Sequence, residues 1–149
     1  MQLHKQLFRH APEKGTYGDC YRTCIACLLG LTPAEVPHFF DGPLEGDVFR
    51  IRSAYTEMTR WLADRGFVRI AICHRDRPLN QVLGIQASSN HGVPFILCGT
   101  STSGLNHAVI AVDGKIIHDP SLTDAGIVGP CDDGNYRVTY LGALIEAPK

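Results

Sequence analysis

The chain has 149 residues, 44% of them hydrophobic and 19% charged, with a formal net charge of -1. That length suits one domain with one core, and the near-neutral charge gives no electrostatic case for a nucleic-acid or membrane-surface partner. The start, MQLHKQLFRH, is polar and lacks the apolar core of a secretory signal, and no apolar run approaches the roughly 20 residues of a membrane span. The expected setting is therefore the reducing cytoplasm, with the six cysteines as thiols and not as a disulfide framework.

Residues 1 to 18 read as extended or irregular, punctuated by Pro12, Gly15 and Gly18. Asp19 is placed to cap a helix that runs to about Leu29, where Gly30 stops it. The stretch LTPAEVPHFF reads as a second short helix, with Thr32 as cap, Pro33 in the first turn and Glu35 at the capping-box position. The longest helix spans about Asp47 to Arg65, because Val48, Ile51, Tyr55, Met58 and Leu62 recur at helical spacing and Gly66 follows. Trp61 and Met58 belong to its core side. FVRIAIC is a strand, LNQVLGIQASS after Pro78 a helix or turn, GVPFILCG a short buried strand, HAVIAVDGKIIHDP a hairpin and YRVTYLGALIEA a last β-rich stretch broken by Gly142. Helices precede most strands, which predicts an α+β fold with N-terminal helices packed on a C-terminal antiparallel sheet, residues 1 to 149 forming a single domain.

Cys20, Cys24 and Cys27 are spaced C-x3-C-x2-C, which raises a metal or iron–sulfur site as a candidate. On a helix they share an arc of about 60°, but Cys20 and Cys27 are separated by about 10 Å of rise. Thiolates on one zinc ion lie about 2.3 Å from it, so a straight helix cannot clamp one ion with all three. No partner C-x2-C pair occurs elsewhere, and no metal or cofactor is expected. In the helical reading Cys24 and Cys27 are buried small hydrophobes. Cys20 lies in the first turn, where free N–H groups and the helix dipole favour a thiolate, although a merely packed thiol fits the same position.

The second feature is NHAVIAVDGKIIHDPS, two β-runs flanking Asp113-Gly114. A two-residue turn and a three-residue loop give different registers. With the three-residue loop, His107 falls directly across from Asp119 on one face, with Val109 and Ile117; Ala108, Ile110, Ile116 and His118 share the other. With the two-residue turn, His107 and Asp119 point to opposite faces. Both faces are apolar at mid-strand, so the hairpin is expected to be central and covered on both sides. A paired Asp119 would fix the tautomer of His107.

Together, GDCYRTCIACLLGL with VPHF downstream and NHAVIAVDGKIIHDPS late in the chain resemble small papain-like cysteine peptidases, the C39-like proteins of bacteria and phages most of all. The resemblance covers about 35 residues directly. It implies a papain-like fold, Cys20 as nucleophile, His107 as general base and then acid, and Asp119 as the orienting group. The implied chemistry is attack on an acyl carbon and a thioester intermediate, with a peptide, a protein or a small amide as substrate. The family usually places an oxyanion-hole glutamine about six residues before the cysteine, where this chain has Lys14. Gln6 is the substitute if residues 7 to 18 loop out, with the Cys20 N–H as second donor. Asn106 is a candidate substrate contact beside His107, or else shapes the start of the strand. His74 is expected in a solvated loop, His91 in turn chemistry, and GTSTSGLN in a mobile loop at a cleft mouth. Deamidase and acyltransferase chemistry use the same thiol–imidazole pair. A catalytically silent binding or adaptor domain on the same fold is the alternative from another class.

Overall fold

The computed structural model describes residues 1–145. Three α-helices pack on a five-stranded antiparallel sheet, an α+β arrangement. In chain order these are α1 (Cys20–Leu29), α2 (Val48–Ala63), β1 (Phe67–Arg75), α3 (Leu79–Ser89), β2 (Phe95–Thr100), β3 (Asn106–Val112), β4 (Lys115–His118) and β5 (Asn135–Ala143). The sheet order is β1-β5-β2-β3-β4. Glu146 and Ala147, the end of the predicted last β-rich stretch, lie outside the described residues. Among the described residues no helix is long and apolar enough to cross a membrane.

α1 ends at Gly30, whose φ of 72° takes the left-handed conformation that glycine adopts without steric cost. Its residues Arg22 to Cys27 are all buried, so it is a core helix. Its beginning differs from expectation. The Asp19 carboxylate makes no cap bond and is buried, accepting from the backbone N–H groups of Leu7 and Phe8 and from Arg22 Nε at 2.9 Å. The arginine one turn on and the N-terminal segment take up the charge that a cap would have spent on the helix. Asp47, by contrast, is a true cap of α2, accepting from Arg50 N at 2.8 Å. The α2 stripe that reaches the core is Ala54, Met58 and Leu62; Val48, assigned to it from the sequence, is exposed. The helix expected after Leu31 is only a 3-10 turn, Pro33–Glu35, held by Thr32 N donating to Glu35 Oε2 at 2.7 Å.

The sheet register sorts the side chains into two faces. Cys73, Arg137, Cys98 and Ala108 form one row across β1, β5, β2 and β3, and Ala71, Thr139, Ile96 and Ile110 form the next. Directly opposed residues share a face. Ile96, Ala108 and Ile110 pack with Cys24, Ile25 and Leu62, so this face lies under α1 and α2. Leu97, Val109 and Val138 pack with Val82 of α3 on the other.

The hairpin is not central. β4 is one edge of the sheet, and of the hairpin's two strands only β3 is buried throughout its middle. The connection is the two-residue turn, with φ of 48° at Asp113 and 77° at Gly114, both left-handed. Alone it would separate His107 from Asp119. A β-bulge between Ile110 and Ala111 moves the register from Ala111↔Ile116 to Ile110↔His118, adding one residue to β4. That restores the parity. Asp119 follows on the face of Val109 and His107, although Ile116 now shares that face too.

Candidate active site

Cys20 opens α1, half-buried at the helix N-terminus. The first ladder bond is Thr23 N to Asp19 O at 3.0 Å, so the N–H groups of Cys20 and Tyr21 precede the ladder. Burial pushes the Cys20 thiol up to about 11. The Ala108 N–H pulls the other way, the Asp19 charge adds to the rise, and the N–H groups of Tyr21 and Cys20 oppose it. The thiol is therefore neutral at rest. Cys24 is fully buried and its thiol is raised well above the ordinary value, burial again the main cause. Cys27 accepts from His4 N at 3.2 Å. No group of three or more metal-binding side chains occurs among the described residues.

His107 lies one residue before Ala108 at the start of β3 and is 8% exposed. Its Nε2 is 2.8 Å from Asp119 Oδ1. Asp119 also accepts from Ser121 N at 2.8 Å and from Gly126 N at 2.7 Å. Burial alone would raise this carboxyl, but the bonds from His107, Ser121 and Gly126 prevail and hold it near 2. An ionised Asp119 can only accept, so Nε2 carries the proton and neutral His107 keeps its lone pair on Nδ1. Strand alternation turns Ala108 toward α1 and His107 to the other side. Thiol and imidazole thus lie on opposite sides of the β3 backbone, with His107 beyond the point where β4 stops at His118. No hydrogen bond joins Cys20 to His107 among the described residues.

The N-terminal segment closes this region. Gln6 N donates to Pro120 O at 2.8 Å, and His118 Nε2 lies 2.7 Å from His4 O. Lys5 Nζ donates to the carbonyls of Asp119 and Ser121, each at 2.9 Å, and pairs with Asp124. Residues 4 to 8 therefore run between α1 and the segment after β4. The Gln6 side-chain amide donates to Phe8 O at 2.8 Å, which leaves one of its two hydrogens free. Asn106 exchanges hydrogen bonds with Asp132, at 3.0 and 3.1 Å, so its amide pins the turn before β5.

The expectation for His74 is corrected. His74 is not in a loop but in β1, its Nε2 3.0 Å from Gln86 Nε2 on α3. The GTSTSGLN segment runs from the end of β2 through a turn to the start of β3: Ser101 N bonds Leu105 O, and Thr102 bonds Ala125 O through both its N–H and its hydroxyl. His91 pairs with Asp113 at the hairpin turn. Two shallow depressions, of about 360 and 340 Å³, lie along α2 and contain none of Cys20, His107 and Asp119. Sequence reasoning missed Lys5, Ser121 and Gly126. Only Ser121 had a signal, since an aspartate followed by Pro-Ser favours an Asx turn in which its carboxylate accepts the N–H two residues on. Comparison with family models, curated proteins and solved structures finds no match to the chain.

Proposed function

We propose that the chain is a thiol hydrolase of papain-like architecture that cleaves an amide or related acyl bond through Cys20, His107 and Asp119. The observation that carries this reading is the buried His107–Asp119 pair on a strand whose next residue aims its N–H at the first thiol of α1. A carboxylate held near 2, an imidazole with its free nitrogen fixed as Nδ1 and a thiol at a helix N-terminus are the three groups that acyl transfer needs.

Because burial holds the thiol protonated, the reading is general-base catalysis and not a resting ion pair. His107 Nδ1 takes the Cys20 proton as Sγ bonds the acyl carbon, and the carbonyl electron pair moves onto oxygen. The Cys20 N–H and the free Gln6 amide hydrogen are the candidate donors to that oxyanion. Collapse breaks the C–N bond, and the imidazolium gives its proton to the leaving amine. Water activated by His107 then releases the acid and the free thiol. An amine in place of water gives transfer, and a primary amide substrate gives deamidation.

The second reading, a silent binding domain on the same fold, draws support from the raised thiol and from the Gln6 amide already bonded to Phe8. Iodoacetamide labelling read by intact mass separates the two. The hydrolase reading expects selective labelling of Cys20 that is lost in His107→Ala, with acyl adducts trapped from amide substrates. Slow, uniform labelling of all accessible thiols regardless of His107 would refute it.

A further inference from the structure

On the α1 face of the sheet, a line of half-buried aromatic rings leads away from Cys20. Tyr21 follows the thiol in α1 and donates its hydroxyl to Thr139 Oγ1 at 3.1 Å. Its ring meets Phe40 edge-on at 6.0 Å between centroids, and Phe40 meets Tyr55 of α2 at 5.0 Å. The line ends at Arg69 of β1, whose guanidinium lies 4.9 Å from the Tyr55 ring centroid. Arg69 pairs in register with Leu141, which packs on the α1 cluster, so the guanidinium is on the thiol's side of the sheet.

Among the described residues Arg69 has no anionic partner. Its Nε is buried without an acceptor. Holding a cation there with an orphaned donor is costly unless an anion arrives. Arg137, two strands or about 10 Å from β3 on the same face, differs because Asp133 already bonds it. A planar fork with a free donor, at the end of an apolar wall, suits a carboxylate better than a neutral group.

We propose that the surface beside Cys20 takes an acyl substrate bearing a carboxylate, with Arg69 as its anchor and the Tyr21–Phe40–Tyr55 wall against its apolar part. This rests on the reading of Cys20 as nucleophile. The peptide analogue N-iodoacetyl-phenylalanyl-glycine places a carboxylate beyond an aromatic group, and its C-terminal amide is the neutral control.

The acid should label Cys20 about ten-fold faster than the amide, as one charge-assisted hydrogen bond allows. Arg69→Gln should abolish that preference, whereas Arg69→Lys should keep part of it and Arg137→Gln most of it. If Arg69→Gln does not fold, the wild-type preference must still shrink at high salt. Equal rates for acid and amide, or a preference that survives Arg69→Gln, would overturn the proposal while leaving the hydrolase reading intact. Loss of His107-dependent iodoacetamide labelling at Cys20 would overturn both.

Discussion

On the α1 side of the sheet the register rows hold Cys98, Arg137, Thr139 and Arg69; on the α3 side they hold Leu97, Val138, Val109 and His107. The first face mixes thiols, cations and a threonine with its aliphatic residues, and its burial is partial toward β1. The second is closely packed with aliphatic and aromatic side chains, Phe95, Tyr136 and Tyr140 among them, and at its end the His107–Asp119 pair sits beside residues 127 to 129. Gly99, the register partner of His107, shows how close that cover is: a Cβ there would meet Gly129 O at 2.5 Å and Ile127 Cγ2 at 2.7 Å. The contrast teaches that the proposed base is held by tight packing on one face, while the proposed nucleophile sits half-buried at the start of α1 on the other. β3 joins them, giving Ala108 to one face and His107 to the other.

The largest expected effect breaks the link between the faces. His107→Ala should lower turnover, and labelling of Cys20 at neutral pH, by about 10³-fold, because a neutral thiol then has no base. Urea denaturation should show a folded protein. Unchanged labelling would mean that the two faces do not act together.

How far this contrast could be read in advance depended on locality. The α1 core helix followed from a glycine stop and dense apolar residues, and Leu79–Ser89, open between helix and turn in the sequence, is the helix α3. The His107–Asp119 pairing was legible as one of two registers, but the reason it holds was not. The two-residue turn alone gives the wrong parity, and the bulge at Ile110/Ala111 that corrects it has no local sequence mark. Asp19 was misread because its partners, Leu7, Phe8 and Arg22, come from the N-terminal segment and one helical turn on. His74 was misread because the charged run HRDR hides the end of an edge strand, where charge is common. Lys5 was invisible: its acceptors lie more than a hundred residues away, at Asp119 and Ser121.

Gly99→Ala sharpens the contrast from the packed side. The added methyl meets backbone that cannot rotate away, so stability should fall by about 3 kcal/mol in chemical denaturation. The displaced 127–129 segment adjoins Gly126, whose N–H bonds Asp119, so Cys20 labelling should also slow. A variant of wild-type stability would mean that this cover yields easily.

From the α1 side, the alkaline limb tests Cys20. The folded protein keeps this thiol protonated up to about 11, against 9.0 for the ordinary thiol. Unfolding then releases a proton at pH values between the two, so stability contributed below about pH 9 is lost as pH rises toward 11. The share of Cys20 is on the order of 2–3 kcal/mol. Cys20→Ala should therefore soften the alkaline fall in urea midpoint. If the fall is unchanged, burial at Cys20 is weaker than its surroundings imply.

The smallest effect lies on the acid side and concerns Asp119. Its carboxyl is held near 2 in the folded protein against an ordinary 3.8, since bonds from His107, Ser121 and Gly126 outweigh the burial that opposes them. A depressed pKa stabilises the fold above the unfolded value, and that contribution disappears as pH falls from about 4 through 2. It amounts to about 2 kcal/mol. Asp119→Asn removes the titrating group, so the variant should start less stable at neutral pH and converge on the wild type near pH 2. The same variant should lose Cys20 labelling, because an amide can donate to Nε2 and turn the imidazole proton onto Nδ1, where it faces the wrong way for a base. Convergence of the stability curves without loss of labelling would make the His107–Asp119 pair a packing device for the α3 face alone. Loss of labelling without convergence would separate its chemical role from its contribution to the fold.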